Sequence, residues 1–466
     1  MIEYKKYFQG KKITVLGLGL LGRGINDIAF LASCGAKLVV TDLKSTDVLA
    51  PSLRELVRFS DITYVLGEHR LEDFRNCDLV IKAAGVPLDS PFIAEARKHA
   101  IPVKMSTALF AELSPATIVG ITGTRGKTTT TYLIYEILKR AGKRVWLGGN
   151  IKGVSTLAFL PEVQPGDFAV LELDSWQLQG FAEEKISPHI AVFTTFLSDH
   201  LNYYKGDLEA YYNDKSAIYR YQKTGDVCVA GKGVFDYVMK DKPISDVCVA
   251  GSEDVPVDWN IQIPGEHNRD NIACAVKATR ALGIAEESIR AAVEDFKGVP
   301  GRLELLKKVR GVSIYNDTTA TTPDATIAAL RALGGGSEYR ISKSEINKLE
   351  ADLHHSSNAE EKKIILILGG SDKGLSMERL VPEIPRYCNF VVLLAGTGSE
   401  KLKPVLDSLS ISYVNADSLS GAVSAAFEKA RSGDTILFSP AFASFGMFKN
   451  EYDRGDQFTA LISNLV

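Results

Sequence analysis

The sequence predicts an α/β protein of three domains, each built on a largely parallel β-sheet. Short apolar segments alternate with longer segments of helical periodicity along the whole chain. Two of these apolar segments run into glycine-rich loops of different kinds. The length of 466 residues corresponds to about three domains of roughly 150 residues each. We expect domains of residues 1–114, 115–300 and 301–466.

Composition narrows the class of partner. The net charge is -3 and no long basic run is present, so a nucleic-acid surface is not expected. No apolar run approaches the ~20 residues that span a bilayer, and the N-terminus lacks an apolar signal core. The six cysteines show no C-x-x-C spacing and are expected to be reduced core thiols. We expect a cytoplasmic monomer that acts on small molecules, without nucleic-acid or membrane partners.

The first domain opens on an apolar strand at residues 13–16, followed by a loop at residues 17–22 that reads GLGLLG. The next strand ends at Asp42. In a Rossmann-like dinucleotide unit, such loop amides bind a diphosphate and the acid accepts from a ribose or base. NAD is one ligand of this pattern, and purely structural glycine packing is an alternative. A further strand at residues 78–81 leads into a loop with Gly85, at an edge where open sheets bind ligands.

The central domain opens on residues 117–131, which read TIVGITGTRGKTTTT. The order of apolar strand, glycine turn and helix is the context of a phosphate-binding loop, or P-loop. Gly123 and Gly126 let the backbone wrap round phosphate oxygens at a helix N-terminus. Lys127 supplies a cation and Thr128 a hydroxyl for Mg²⁺. The strict glycine spacing is not kept, and a chance Gly-Lys-Thr turn is the alternative.

Two later strands of the central domain end in polar side chains. Glu172 lies near the carboxyl end of a strand at residues 168–173, where a carboxylate suits Mg²⁺ or forms an ordinary salt bridge. His200 follows a strand at residues 190–195, in the place of a ligand contact, although an isolated histidine is often structural. A repeated hexapeptide, DVCVAG, at residues 226–231 and 246–251 predicts two similar strands.

A helix predicted over residues 207–221 places Lys215 on its apolar face. That face carries the side chains that share its helical spacing: Leu208, Tyr211, Tyr212, Ile218 and Tyr219. A long lysine can extend its ammonium group to solvent, a behaviour called snorkelling. Alternatively, burial lowers the pKa of the amine, which then reacts with CO₂ to give a carbamate that binds metal like a carboxylate.

A helix is predicted from Asn271 to Leu282, ended by Gly283. Asn268 is a candidate N-cap of that helix. Asn268 and Asn271 at this spacing would also offer paired donor and acceptor groups to a purine.

The third domain reads as a further Rossmann-like α/β unit. Strands are predicted at residues 312–315, 364–368, 390–394 and 435–438. Thr322 and Pro323 form a typical helix start. Between Gly334 and Lys363 the sequence is polar and weakly periodic, which indicates a mobile excursion.

Taken in order, these motifs resemble the Mur ligase family over essentially the whole chain. The motifs that carry the resemblance are TGTRGKTTT at 122–130, GGN at 148–150, LELDSWQL at 171–178, SDHL at 198–201, GEHNRDN at 265–271, GR at 301–302 and YND at 315–317. The segment SPAFASFGMFKNEYDRG at 439–455 is similar to the branch of the family that adds D-glutamate.

The resemblance implies an ATP-dependent amide ligase of peptidoglycan precursor synthesis that joins D-glutamate to UDP-N-acetylmuramoyl-L-alanine through an acyl phosphate. It implies that the first domain binds the UDP end of that substrate rather than NAD, and that the central domain binds ATP and Mg²⁺. The third domain would bind the amino acid.

The resemblance also implies roles for individual residues. Contacts to the UDP-substrate are implied for Leu20, Leu21, Asp42, Lys44, Gly85, Asn150, Gln177 and His200. Contacts to ATP are implied for Gly123, Thr124, Arg125, Gly126, Lys127, Thr128, Thr129, Asn268, Asn271, Arg302 and Asp317. Metal ligation is implied for Thr128, Glu172, His200 and a carbamylated Lys215, and the catalytic group for Lys127, Glu172, His200 and Lys215. Contacts to the amino acid are implied for Thr321, Lys373, Ser444 and Phe445.

Other readings stay open at this point. Glu451 stands where relatives often have an aromatic residue, so L-glutamate or another amino acid is an alternative. An enzyme like folylpolyglutamate synthase would share the P-loop and the modified lysine but would not need the first glycine loop with Asp42. A pyridine-nucleotide oxidoreductase would leave the P-loop unexplained. A non-catalytic UDP-sugar-binding relative would not need the four catalytic candidates.

Overall fold

The computed structural model describes residues 4–19, 22–200, 203–334 and 363–465. Its described part is an α/β protein with three sheets, which confirms the predicted fold class. The expectations for Leu20, Leu21 and the insertion between Gly334 and Lys363 lie outside the described residues.

The first sheet has five parallel strands in the order β3-β2-β1-β4-β5 within the described ranges. The strands are β1 (Lys12–Leu16), β2 (Lys37–Asp42), β3 (Ile62–Leu66), β4 (Leu79–Lys82) and β5 (Val103–Lys104). The helices are α1 (Tyr4–Phe8), α2 (Arg23–Ser33), α3 (Thr46–Leu56), α4 (Pro91–Lys98) and α5 (Ser106–Leu113), with a 3₁₀ turn at Leu71–Phe74. The strand order reverses beside β1, and such a switch point opens a crevice at the carboxyl ends of the strands.

The second sheet has six parallel strands in the order β11-β10-β9-β6-β8-β7 within the described part of the chain. The strands are β6 (Thr117–Thr122), β7 (Val145–Gly149), β8 (Phe168–Glu172), β9 (Ile190–Phe193), β10 (Val227–Gly231) and β11 (Asp246–Ala250). The helices are α6 (Lys127–Arg140), α7 (Ser175–Glu184), α8 (Leu208–Arg220), α9 (Phe235–Lys240), α10 (Glu266–Ala281) and α11 (Glu286–Asp295), with 3₁₀ turns at Leu157–Phe159 and Ser252–Asp254. The two DVCVAG segments form neighbouring strands, β10 and β11.

The third sheet has six strands among the described residues, in the order β12-β13-β17-β14-β15-β16, and β12 runs antiparallel to β13. The strands are β12 (Glu304–Val309), β13 (Val312–Asn316), β14 (Ile364–Gly369), β15 (Cys388–Leu394), β16 (Tyr413–Ala416) and β17 (Thr435–Phe438). The helices are α12 (Pro323–Gly334), α13 (Glu383–Tyr387), α14 (Thr397–Ser408), α15 (Leu419–Lys429) and α16 (Glu451–Ser463). All residues of β14 are buried, as expected for a central strand covered on both faces.

Two local expectations were wrong. Helix α10 begins at Glu266 rather than at Asn271, so Asn268 lies inside the first turn and is not the N-cap. The chain enters that helix through Gly265, whose φ of +100° favours glycine. Leu208 is 40% exposed, because it is the first residue of α8, after the N-cap Asp207.

The described residues form two compact units. One unit comprises Met1–Trp259 and Asp270–Val293 and holds the first two sheets, and the other comprises Asn260–Arg269 and Glu294–Val466 and holds the third. The domain boundaries predicted near residues 114 and 300 stay predictions. Across the described ranges, every helix is too short or too polar to cross a bilayer.

Candidate active site

The predicted P-loop joins β6 to α6 and has the tight backbone that glycine permits. Gly123 and Gly126 have φ values of +149° and +85°. A Cβ on Gly126 would lie 2.1 Å from the Asn271 Oδ1 atom, so any larger residue would collide with that side chain. The loop ends at the N-terminus of α6, a helix of 14 residues, where backbone N–H groups and the helix dipole favour anions.

The P-loop is fixed by the chain that follows β9. The Thr124 N–H donates to the Thr195 carbonyl oxygen at 2.8 Å, and the Arg125 N–H donates to Thr195 Oγ1 at 2.9 Å. Thr194 Oγ1 donates to the Arg125 carbonyl oxygen at 2.5 Å. These bonds hold the loop in one conformation, so phosphate binding would require little reorganisation.

Two lysine side chains meet at the carbonyl oxygen of Gly123. Lys127 Nζ donates to this oxygen at 2.8 Å and to the Thr124 carbonyl oxygen at 3.2 Å. Lys215 Nζ donates to the same Gly123 oxygen at 3.0 Å and to Thr122 Oγ1 at 3.4 Å. The structure therefore brings these two predicted catalytic lysines together at the base of the P-loop.

Lys215 is 1% exposed, so the snorkelling interpretation is wrong. Burial, followed by the nearby Lys127 ammonium group, holds the pKa of Lys215 well below its usual value. Its Nζ atom also lies 4.9 Å from the ring centroid of Tyr211. A lowered pKa favours the neutral amine, which is the form that attacks CO₂. Carbamylation itself stays a prediction.

Glu172 ends β8 and pairs with Ile121 of β6, two residues before the P-loop glycine. Its side chain is 3% exposed. Oε1 accepts from Asn150 Nδ2 at 3.3 Å, whereas Oε2 has no hydrogen-bond partner among the described residues. A buried carboxylate oxygen without a partner is costly, and a hard cation such as Mg²⁺ would satisfy it. Glu172 therefore fits the predicted metal site.

His200 and its neighbour Asp199 lie beside the P-loop. Asp199 Oδ2 forms a salt bridge with Arg125 Nη1 at 2.9 Å. Burial alone would raise the pKa of Asp199, but Arg125 and His200 hold it at about 2. Burial lowers the pKa of His200, and the Lys127 and Lys215 ammonium groups add to that effect, while Asp199 opposes it. His200 is thus close enough to Lys127 and Lys215, the two predicted catalytic lysines, for their charges to act on it.

A cavity of about 470 Å³ opens at the carboxyl edge of the first sheet. Asp42, Lys44, Gly85 and Gln177 all line it, so four of the predicted UDP-substrate residues share one space. Asp42 is 4% exposed and accepts from three backbone N–H groups, those of Leu18 at 3.0 Å, Gly19 at 3.1 Å and Lys44 at 2.9 Å. Although burial would raise it, the pKa of Asp42 is lowered, because the Lys44 and Gly19 amides and the Lys44 ammonium group favour the carboxylate.

Two further predicted substrate residues have structural partners. Gln177 forms the capping box of α7 with Asp174, and its Nε2 donates to Thr107 Oγ1 at 3.2 Å. Asn150 follows β7, and its Oδ1 accepts from Arg23 Nη2 at 3.3 Å. Thr128 and Thr129 lie in the first turn of α6, as the P-loop prediction requires.

The second unit contains the other predicted nucleotide residues. Asp317 is 8% exposed; its Oδ1 accepts from the Leu303 N–H at 3.0 Å and its Oδ2 from Ser439 Oγ at 2.7 Å. Burial raises the pKa of Asp317 to about 7, and Arg302 is near enough to oppose that rise electrostatically. Asn268 Nδ2 donates to the Pro264 carbonyl oxygen at 2.7 Å.

The predicted amino-acid residues lie on loops at the carboxyl edge of the third sheet. Lys373 Nζ donates to Thr321 Oγ1 at 3.2 Å, which joins two of them directly. Ser371 forms an antiparallel bridge with Ala443 and donates through Oγ to the Phe445 carbonyl oxygen. Ser444 is therefore brought near this group; it is buried, while Phe445 is 64% exposed.

Several residues of these sites were missed by sequence reasoning. Asp199 stands inside the SDHL motif, but only the adjacent His200 was predicted as a site residue. Lys82 lines the first cavity and donates to the Val86 carbonyl oxygen at 3.0 Å, and burial lowers its pKa to about 8. Arg454 is fully buried and donates to the Phe442 and Thr318 carbonyl oxygens, at 3.2 and 2.7 Å. Arg454 shares the buried face of α16 with Phe458 and Ile462, and this helical spacing was the signal available in the sequence.

A P-loop on a parallel sheet, with a buried lysine and an unpaired carboxylate oxygen at the same edge, defines a nucleotide-binding α/β protein. The family model described as the Mur ligase middle domain matches residues 121–242, and the model described as the Mur ligase MurD-like N-terminal domain matches residues 11–104. Together with a curated relative that is 35% identical over 98% of this chain, these matches show that the chain belongs to the Mur ligase family, which confirms the resemblance seen in its motifs.

Curated relatives match along the whole chain. The UDP-N-acetylmuramoylalanine–D-glutamate ligase of Roseiflexus sp. (strain RS-1) is 35% identical, over 98% of this chain and 99% of the relative. The proteins of the same name from Borreliella burgdorferi (strain ZS7) and Acetivibrio thermocellus are 35% and 32% identical, covering 97% and 99% of this chain and 97% and 98% of those relatives.

Solved structures share the fold. UDP-N-acetylmuramate-alanine ligase MurC from Thermotoga maritima matches with a TM-score of 0.59 at 19% identity, over 97% of this chain and 99% of that one. MurF ligase from Thermotoga maritima in complex with ADP matches with a TM-score of 0.58 at 18% identity, over 98% and 95%. E. coli FolC in complex with ADP matches with a TM-score of 0.53 at 16% identity, over 77% and 92%.

Proposed function

We propose that this protein catalyses the ATP-dependent addition of D-glutamate to UDP-N-acetylmuramoyl-L-alanine. The observation that carries the proposal is the grouping of the P-loop, Lys127, Lys215 and the unpaired Oε2 of Glu172 at one edge of the second sheet. The curated relatives that match the whole chain bear the name of this activity. They support D-glutamate over the alternatives that the sequence left open.

The residues present fit a magnesium ion. Among the described residues, no group of three His, Cys, Asp or Glu side chains is placed to hold a metal ion. Mg²⁺ is commonly held by one or two carboxylates together with waters and substrate phosphates, and the unpaired Oε2 of Glu172 offers one such carboxylate. We propose that Glu172, the Thr128 hydroxyl, His200 and a carbamate on Lys215 hold it. Bound there, Mg²⁺ would neutralise negative charge on the phosphates.

The reaction needs an activated carboxylate, because a free carboxylate is a poor acyl donor. A carboxylate oxygen of the UDP-substrate attacks the γ-phosphorus of ATP, the bond between that phosphorus and the β-γ bridging oxygen breaks, and ADP leaves. The loop amides and Lys127 would stabilise the charge on the transferred phosphoryl group. The amine of glutamate then attacks the acyl carbon, phosphate departs, and the amine loses a proton.

We propose that the cavity at the first sheet binds the UDP end of the substrate through Asp42, Lys44 and Gly85. Leu20 and Leu21 belong to the same proposal. Asn150, Gln177 and His200 would contact the remainder of that substrate.

Glutamate is proposed to bind at Thr321, Lys373, Ser444 and Phe445, where the Lys373 ammonium group would pair with a carboxylate. Asn268, Asn271, Arg302 and Asp317 are proposed contacts of the nucleotide. We also propose a cytoplasmic location and a monomer.

Phosphate release tests the proposal. Purified protein is incubated with ATP, Mg²⁺ and UDP-N-acetylmuramoyl-L-alanine, with D- and L-amino acids in turn and a folate substrate in a separate series. We expect turnover with D-glutamate and with no other amino acid. The product mass should equal the summed masses of UDP-N-acetylmuramoyl-L-alanine and glutamate less one water. Turnover with L-glutamate would reassign the amino acid, and turnover with the folate substrate alone would reject the proposal.

Lys127→Ala provides the control for that assay. Removing the Lys127 ammonium group should abolish phosphate release. Calorimetry should show UDP-substrate binding nearly unchanged, since the cavity at the first sheet does not include Lys127. Lys139→Ala, at the exposed far end of the same helix, is the matched variant and should leave both unchanged. A comparable loss of UDP-substrate binding in Lys127→Ala would mean that the two sites are not separate.

A further inference from the structure

A hydrogen-bonded chain of three side chains connects the first cavity with Glu172. Arg23 begins α2 and lines the 470 Å³ cavity. Its Nη2 atom donates to Asn150 Oδ1 at 3.3 Å, and Asn150 Nδ2 donates to Glu172 Oε1 at 3.3 Å. We infer that Arg23 is a positioning residue that acts through Asn150 on Glu172. The inference rests on the proposed function, since it assigns Glu172 to a cation.

The chemistry of the three groups fixes the direction of this chain. A guanidinium only donates and a carboxylate only accepts, so the Asn150 amide must turn its oxygen to Arg23 and its nitrogen to Glu172. Arg23 Nη2 also donates to the Ile151 carbonyl oxygen at 3.3 Å, which holds the guanidinium against the same loop. With Oε1 of Glu172 occupied in this way, Oε2 is the oxygen left for a cation.

The backbone around Asn150 supports the same arrangement. The Asn150 N–H donates to the Glu172 carbonyl oxygen at 2.7 Å, and Gly149 pairs with Glu172 across β7 and β8. A Cβ on Gly149 would lie 2.1 Å from that carbonyl oxygen. The main chain therefore sets the distance between Asn150 and Glu172. The orientation of the amide is the remaining freedom, and Arg23 removes it.

The position of Arg23, at the cavity and in contact with Asn150, has a second consequence. A ligand in the cavity that pairs with the Arg23 guanidinium would hold it in place against Asn150, and would thereby favour cation binding at Glu172. Such coupling is reciprocal by thermodynamic linkage. We expect the UDP-substrate to tighten cation binding, and Arg23→Met to remove that effect.

The test measures cation binding without turnover. Free Mn²⁺ is followed by electron paramagnetic resonance in the presence of ADP, with and without the UDP-substrate, for the wild-type protein and variants. Arg23→Met should weaken Mn²⁺ binding by about tenfold, the lower end for loss of a group that orients a metal ligand. The half-saturating Mg²⁺ concentration for phosphate release should rise in parallel, with KM for ATP less affected.

Asn26→Ala is the matched control. Asn26 lies on the same helix and donates to the Gly153 carbonyl oxygen of the same loop at 3.3 Å, but it neither lines the cavity nor contacts Asn150. It removes a contact between α2 and the loop while leaving the chain of three residues intact. Its Mn²⁺ affinity should match the wild-type protein, and its melting temperature controls for loss of stability.

A double-mutant cycle tests whether Arg23 acts on cation binding through Asn150 or independently of it. Asn150→Ala should weaken Mn²⁺ binding at least as much as Arg23→Met, and the double variant should be no worse than Asn150→Ala alone. Additive losses, or an Arg23→Met affinity equal to that of Asn26→Ala, would overturn the inference. If the Mn²⁺ affinities follow this pattern but the protein has no ligase activity, the proposed function is rejected and the inference about Arg23 stands.

Discussion

The contact of Lys127 and Lys215 with one carbonyl oxygen shows how far single residues shape this site. The Nζ atoms of both lysines lie within 3.0 Å of the Gly123 oxygen, so burial and repulsion from Lys127 both disfavour a charge on Lys215. Converting the Lys215 amine to a carbamate would reverse its charge and turn repulsion from Lys127 into attraction. This change of sign supports the prediction that Lys215 is carbamylated.

Lys215→Ala should lose most of the ligase activity, by about a hundredfold or more if the carbamate is a metal ligand. The variant should fold, because a costly buried amine is removed, although the cavity left behind offsets part of that gain. Acetate should restore part of the activity by supplying a carboxylate in the vacated space. Lys223→Ala, an exposed position beyond the same helix, is the control. An active wild-type enzyme whose intact mass and Lys215 peptide show no added CO₂ after trapping would rule the carbamate out.

Asp317 predicts a pH dependence of stability. Burial raises its folded-state pKa from 3.8 to about 7, so the folded protein binds this proton more tightly than the unfolded chain does. The resulting stabilisation is complete below the unfolded pKa near 4 and is lost as the pH rises through about 7. Asp317→Asn keeps an acceptor for the Leu303 N–H and lacks the titration. Its melting temperature should therefore fall less than that of the wild-type protein between pH 5 and pH 8; identical slopes would contradict the raised pKa.

At the scale of elements, the P-loop shows why glycine position matters more than glycine count. Gly126 and Gly142 both have positive φ, at +85° and +71°, but only Gly126 has an atom within 4 Å of an added Cβ. Gly126→Ala combines backbone strain with a clash against Asn271, whereas Gly142→Ala has the strain alone, about 1–2 kcal/mol. Calorimetry should show ATP binding lost in Gly126→Ala and kept in Gly142→Ala. Equal affinities would mean that Asn271 yields without disturbing the loop.

Much of the element pattern is readable from sequence, because buried parallel strands are short apolar runs. Residues 435–438 were predicted as a strand and form β17, and the helix start predicted at Thr322 and Pro323 agrees with α12, which begins at Pro323. Helix α10 was predicted to start five residues late, because its first turn, Glu266 to Asp270, is polar and carries no apolar periodicity. Its start depends on Gly265, whose left-handed φ only the fold reveals.

Site residues followed the same division. Lys127 and Glu172 were predictable because a local pattern, a glycine turn or a strand end, locates them. Arg23 was not, since its partner Asn150 is 127 residues away and their contact exists only after two sheets pack in one unit. Burial of Lys215 lay between these cases: the apolar stripe indicated it, but the reach of a lysine side chain allowed solvent as well.

At the scale of the whole molecule, the first sheet decides between a ligase and an oxidoreductase. Its glycine loop and Asp42 satisfy the pattern for NAD, but Asp42 already accepts from three backbone N–H groups. Of the roughly four lone-pair positions of a carboxylate, about one is left, which suits a single donor such as the N–H of a uracil ring and not two ribose hydroxyls. We expect UDP to raise the melting temperature and NAD to leave it unchanged, in a thermal-shift titration of the full chain. Asp42→Ala should abolish the UDP shift and keep the ATP shift. Stabilisation by NAD alone would contradict the proposed role of this domain.

The paired strands β10 and β11 contain a natural experiment on context. Exchanging residues 226–231 with residues 246–251 would return the same protein, letter for letter. Yet the register is offset by one, with Val227 beside Asp246, so equivalent letters turn to opposite faces. Val229 is fully buried and its twin Val249 is 37% exposed. Equivalent residues of the two segments therefore differ in their structural surroundings and not in local sequence. Any difference between them in tolerance to substitution, or in rate of amide exchange, measures the effect of those surroundings.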